Sequence, residues 1–243
     1  MKTVWITGAS RGIGRACALR FAADGCRIAL HYRQYEMAAR ETAEACRALG
    51  AQTALFRGDV ADRASVFAIA EKIRQCFGPI EVLVNNAGIA QQKLFTDITE
   101  SDWRRMIGVN LDGVFFCCQA ALPDMIHRKS GRIINISSMW GQVGASCEVH
   151  YSAAKAAING LTQALAKELG PSGITVNAVA PGVINTDMNA ALDAQTHAAL
   201  CEETPLERIG TPDEIARVVH FLAGPGGDFI TGQIIGVNGG FVI

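Results

Sequence analysis

Thr3-Val-Trp-Ile-Thr7-Gly8-Ala-Ser-Arg-Gly12-Ile-Gly14 opens on a short apolar run, passes through a glycine loop and enters an alanine-rich segment with Ala16, Ala18, Leu19, Phe21 and Ala22. The run reads as a buried strand and the segment after the loop as a helix. The glycines are spaced G-x-x-x-G-x-G rather than G-x-G-x-x-G, but the physical demand is the same. Gly8 permits a tight turn, and Gly12 lets backbone approach a pyrophosphate. The helix start then offers free amides and the positive end of its dipole. A strand before the loop and a helix after it strengthen an otherwise weak glycine signal.

The same alternation continues outward. Strand-like runs recur at Arg27–Arg33, Gln52–Arg57, Ile80–Asn85, Arg132–Ser138, Gly173–Val179 and Gln233–Val237, with helical segments between them. Strands alternating with helices throughout predict one doubly wound α/β parallel sheet with helices on both faces. Neither a repeat nor a linker divides the 243 residues, so residues 1–243 are expected to form a single domain. The net charge of −1 gives no footprint for nucleic acid or an anionic membrane. No run reaches the ~18 apolar residues of a membrane span, and the glycine loop comes too early for a signal peptide. Eight cysteines without Cys-x-x-Cys spacing read as reduced thiols in a cytoplasmic protein.

Several residues at strand ends carry chemistry. The second strand closes on His31, Tyr32 and Arg33, and the first acid is Glu36. An enzyme using NAD usually places an acid there to hold the ribose hydroxyls. Its absence favours NADP(H), with Arg11 and Arg33 on the 2′-phosphate; the alternative for both arginines is a solvated surface. Asp59 is either an acceptor for an adenine amino group or a turn residue. Asn85-Asn86-Ala87-Gly88 supplies small residues for close approach of a cofactor.

Ser138 ends the fifth run, facing the crevice where such sheets bind ligands. Tyr151 and Lys155, four apart, share a helix face. An ammonium beside a phenol lowers a pKa that is ordinarily ~10, making a general acid that works near neutrality. Asn110 sits among apolar neighbours, either as a locally satisfied asparagine or at a kink whose freed carbonyl holds a water connected to Lys155. Residues 187–210 form a candidate mobile loop over a substrate.

Thr7-Gly-Ala-Ser-Arg-Gly-Ile-Gly14, Asn85-Asn-Ala-Gly88, Asn110, Ser138, Tyr151-x-x-x-Lys155, and Pro181-Gly182 with Thr186 together resemble the short-chain dehydrogenase/reductase family over nearly the whole chain. The resemblance implies a Rossmann-type sheet of about seven strands, a homotetramer, a catalytic tetrad of Asn110, Ser138, Tyr151 and Lys155, and no metal. Tyr151 would protonate the carbonyl oxygen as hydride arrives, Ser138 would orient that oxygen, and Asn110 would hold a relay water. The implied cofactor set adds Ser10, Ile13, Tyr32, Val60, Asn86, Ala87, Gly88, Pro181, Gly182, Ile184 and Thr186 to Gly8, Arg11, Gly12, Gly14, Arg33, Asp59, Tyr151 and Lys155. Within the family, Ser-Arg in the loop, Ile184-Asn-Thr-Asp-Met188 and the ending Ile230-Thr-Gly-Gln with Val237-Asn-Gly-Gly240 resemble bacterial reductases of 3-oxoacyl groups on acyl carrier protein. His127-Arg128-Lys129 suits carrier docking, whereas Ser172 stands where an arginine is common. Cys147, Glu148 and His150 make the expected pocket unusually polar, which leaves a steroid, bile-acid or sugar ketone open as substrate. A non-catalytic NADP-binding scaffold is the remaining alternative.

Overall fold

The computed structural model describes residues 1–189 and 193–243. Its strands are β1 (Thr3–Ile6), β2 (Arg27–Tyr32), β3 (Gln52–Arg57), β4 (Val82–Asn85), β5 (Gly131–Ile136), β6 (Ile174–Pro181) and β7 (Ile234–Val237). They form one sheet in the order β3-β2-β1-β4-β5-β6-β7, and every pairing is parallel. The chain builds outward from β1 to β3, returns beside β1 as β4, and then builds the other way. A crevice therefore opens above the carboxyl ends of β1 and β4, where the winding reverses.

Between the strands lie α1 (Gly12–Ala23), α2 (Glu36–Ala48), α3 (Arg63–Phe77), α4 (Glu100–Ile107), α5 (Gly113–Arg128), α6 (Trp140–Val143), α7 (Val149–Leu169), α8 (Ala194–Glu203) and α9 (Pro212–Ala223). Successive strand side chains point to opposite faces, so a strand covered on both must be apolar at every position. Val4 and Ile6 accordingly join one core with Ile28, Val84, Ile134 and the α9 residues Ile215 and Val219. Trp5 joins the other with Leu83, Ile133, Ile73 of α3, Val114 of α5 and Ile158 of α7.

Sequence punctuation fixes several helix starts. Asp62 accepts from the Ala64 amide before α3. Thr99 with Asp102 and Thr211 with Glu214 form reciprocal capping boxes at α4 and α9. Residues 100–128 are long and apolar enough, by composition alone, to cross a membrane, yet half of the most apolar stretch is buried within the fold. The expected loop at 187–210 contains the helix α8, and its residues 190–192 lie outside the described ones.

Candidate active site

The loop after β1 is clamped to the loop after β4. Thr7 Oγ1 accepts from the amides of Asn86 (2.9 Å) and Ala87 (3.0 Å). Asn86 Nδ2 in turn donates to the carbonyls of Thr7 and Gly8, both at 3.0 Å. The backbones come so close that side chains have no room. A Cβ on Gly8 would lie 2.9 Å from Ala87 Cα, and one on Gly14 would lie 2.3 Å from the Gly8 carbonyl oxygen. Gly8 and Gly12 both hold positive φ, 63° and 55°, which a side chain would strain.

His31 braces this loop from β2. An amide can only donate, so His31 Nδ1 accepts from Gly8 N (3.4 Å) while Nε2–H donates to the Gly58 carbonyl (3.2 Å). Burial disfavours its charged form and moves its pKa down to about 4. Neither Thr7 nor His31 stood among the expected cofactor residues. The available signal was a hydroxyl at the strand end beside Gly8 and a histidine inside an apolar strand.

Ser138, two residues beyond β5, is buried and accepts from the Trp140 amide at 3.2 Å. Tyr151 lies in the first turn of α7, and the Lys155 ammonium stands 5.6 Å from the centre of its ring. Lys155 Nζ donates to the Ile136 carbonyl at 2.8 Å. Asn110 lies in a five-residue π turn, Gly108–Asp112, between α4 and α5. Its side chain donates to the carbonyls of Ile89 (3.0 Å) and Met106 (3.1 Å) and accepts from the Ile89 amide (3.2 Å). Asn110 is thus a locally satisfied asparagine in a distorted stretch of helix. Gly88 lies between the two groups: a Cβ there would be 2.8 Å from Asn110 Oδ1 and 3.7 Å from Lys155 Nζ.

One expectation is reversed. Rather than being lowered, the Tyr151 pKa is pushed up to about 12. Tyr151 keeps a partly accessible edge, but protein surrounds it closely enough for desolvation to dominate. The Glu148 carboxylate raises it further, and only the Ser138 hydroxyl pulls the other way. Lys155 is itself lowered to about 8 by burial, and its proton is directed at a backbone carbonyl.

At the far end of the crevice, Arg33 pairs with Asp59 through Nε at 2.7 Å, so Asp59 faces the arginine in this structure. Arg11 pairs with Asp187 at 3.0 Å and lies 4.0 Å from the centre of the Tyr35 ring. Tyr32 and Val60 are buried. On the β6 side, the Gly182 amide donates to the Val237 carbonyl, and Ile184 is buried. A Cβ on Gly12 would lie 3.4 Å from Thr186 Cγ2, so the glycine loop and Thr186 sit side by side in the crevice wall. This space, lined by glycine and by the amide-rich start of α1, suits a dinucleotide.

On the α7 side of the crevice, side-chain bonds and a backbone bond join residues 147–150 to the loop after β4. Gln91 bonds His150 Nε2 (3.0 Å) and donates to Asp102 (3.3 Å), and Lys93 donates to Asp102 at 2.7 Å. Gln92 donates to Glu148 at 3.4 Å, and the Lys93 amide to the Cys147 carbonyl at 2.7 Å. Cys147 holds φ at 61°, in the left-handed region.

A family model described as "Enoyl-(Acyl carrier protein) reductase" matches residues 8–242. The chain belongs to the short-chain dehydrogenase/reductase family. This family uses a nicotinamide cofactor. The chain is 43% identical over 239 residues to a Staphylococcus aureus protein named 3-oxoacyl-[acyl-carrier-protein] reductase FabG, covering 98% of this chain and 97% of the relative. A Synechocystis 3-oxoacyl-[acyl-carrier-protein] reductase is likewise 43% identical, covering 98% and 96%. Nodulation protein G of Azospirillum brasilense is 41% identical, covering 98% and 97%. Among solved structures, a Serratia marcescens short-chain dehydrogenase/reductase variant superposes with a TM-score of 0.93 at 34% identity, covering 99% of this chain and 97% of that one.

Proposed function

We propose that this chain reduces the ketone of a 3-oxoacyl thioester, carried on acyl carrier protein, to the 3-hydroxyacyl form with NADPH. The observation carrying this reading is the convergence of Ser138, Tyr151, Lys155 and Asn110 beside the glycine loop, in a chain similar end to end to 3-oxoacyl reductases. When bound, the nicotinamide supplies the hydride. Tyr151 gives its phenolic proton to the carbonyl oxygen, and Ser138 donates a hydrogen bond that orients that oxygen. The Lys155 ammonium stabilises the phenolate left behind. Asn110 holds the π turn, where a water returns a proton toward Lys155.

Gly12, Gly88, Gly182 and Thr186 line the cofactor's path, and Ser10, Ile13, Asn86, Ala87, Pro181 and Ile184 complete its walls. Arg33 and Arg11 take the 2′-phosphate of NADPH in place of Asp59 and Asp187. Residues 187–210 close over the acyl chain. The chain acts as one domain in the cytoplasm, where the half-exposed thiols of Cys147 and Cys201 stay reduced. It assembles as a homotetramer, supported by the exposed apolar side chains of Trp103, Phe115, Phe229 and Ile243.

The test is oxidation of NADPH and NADH by purified protein with an acetoacetyl thioester, a steroid ketone and a keto-sugar. Turnover of the thioester with NADPH is expected. Turnover of a steroid or sugar alone would sink the substrate assignment. Nucleotide binding with no turnover of any ketone would sink the enzyme assignment and favour a scaffold.

A further inference from the structure

Glu148 occupies the position before the first turn of α7, where a carboxylate would ordinarily cap the helix, yet its side chain makes no capping bond. It turns instead to Gln92 Nε2, which donates to it across the cleft at a long 3.4 Å. The residue is half-buried and three positions from Tyr151, so the two share one turn of helix. Among the described residues no cation forms an ion pair with it. Lys93, the ammonium on the facing loop, is taken by Asp102 of α4 at 2.7 Å. His150 on the same helix is buried, bonded to Gln91 and held toward its neutral form by desolvation. Lys155, one turn beyond Tyr151, is directed at the Ile136 carbonyl, and Cys147 contributes its backbone carbonyl to the Lys93 amide. Among the described residues, Glu148 thus remains a carboxylate without a counter-ion, three positions from the Tyr151 phenol. Two consequences are already visible: burial raises its own pKa, and its charge raises that of Tyr151.

We infer that Glu148 is a specificity-determining residue that selects by charge, rejecting ketones with a carboxylate near the carbonyl, such as free 3-oxo acids, and admitting neutral thioesters. The inference rests on the proposed reductase reading. Its physical basis is like-charge repulsion in a cleft whose dielectric is below that of water, which makes unit charges a few ångströms apart significant.

The experiment compares kcat/KM for a neutral acetoacetyl N-acetylcysteamine thioester and for acetoacetate, in the full-length protein and in Glu148→Gln and Glu148→Asp. Glu148→Gln is expected to raise the ratio of kcat/KM for acetoacetate to that for the thioester at least about fivefold, an effect on Tyr151 itself being common to both substrates. Glu148→Asp, which keeps the charge, should keep the discrimination. In the unaltered protein the preference for the thioester should narrow as pH falls through the raised Glu148 pKa. Equal changes for both substrates, or a constant ratio, would overturn the inference. If the thioester is not reduced at all, the reductase reading has failed, and titration of the phenols by ultraviolet difference decides. With Tyr151→Phe as the blank, Tyr151 must titrate at lower pH in Glu148→Gln, and an unchanged titration rejects the contact.

Discussion

The two sides of the crevice are built by different means. On the β1–β4 side the main chains pack closely: the Thr7 and Asn86 side chains tie two loops together through backbone partners, and Gly8 and Gly14 sit where a single added carbon would strike main chain. On the side formed by residues 144–150 and the loop after β4, side chains meet side chains through Gln91, Gln92, Asp102, Glu148 and His150. The first side cannot change without breaking the frame. The second can change residue by residue while the frame stands, so a family can keep one cofactor cradle and vary its substrates.

Five substitutions test that contrast. The largest expected effect is chemical: Tyr151→Phe should lower kcat for ketone reduction by ~10²–10⁴. The melting temperature should change little, because the β1–β4 frame is untouched; a variant that kept its activity would remove Tyr151 from the chemistry. Next comes His31, buried neutral against Gly8 and Gly58. Its folded pKa, about 4, lies below the ordinary 6.5, so the unfolded chain binds the proton first. Stability is then fully present above pH 6.5 and falls, by about 3 kcal/mol, as pH drops toward 4. Urea unfolding at stepped pH should show this slope, and His31→Gln should flatten it.

Glycine substitutions compare the two sides directly. In Gly14→Ala the new carbon would meet the Gly8 carbonyl oxygen and Asn86 Nδ2 at 2.3 and 2.5 Å, for a loss of ~1–3 kcal/mol or more. Gly144, on the substrate side, has nothing within 4 Å of its Cβ position but holds φ at 75°. With ψ at 165° that backbone region is essentially glycine's, so its alanine variant should cost backbone strain alone, ~1–3 kcal/mol, and thermal unfolding ranks the pair. The smallest effect belongs to Arg33→Ala, expected to raise the NADPH Michaelis constant roughly tenfold and leave that for NADH nearly unchanged. An unchanged NADPH value would remove Arg33 from the 2′-phosphate.

Much of the architecture was legible because period and punctuation are local. The apolar run at Thr3–Ile6 became a strand covered on both faces, and Thr211-Pro212 started α9 where capping chemistry places it. Asn110 was legible as an exception: a polar residue in an apolar stretch had to be bonded or to distort its helix, and it does both. The direction of the Tyr151 shift was not legible. The spacing to Lys155 gives proximity, but desolvation depends on every element that packs around the phenol. Nor was the partner of Arg33, because Asp59 lies 26 residues away and reaches it only through the pairing of β2 with β3.

The alternation of strands and helices, the glycine positions that permit close approach, and the order of Asn110, Ser138, Tyr151 and Lys155 are written in the sequence, since they depend on periods and spacings carried along the chain. Tertiary structure decided which side chains clamp the glycine loop, that burial raises the Tyr151 pKa, and that Glu148 meets Gln92 and, among the described residues, no counter-ion. Those are balances of solvation and charge between segments distant in sequence, and they exist only once the sheet has brought the segments together.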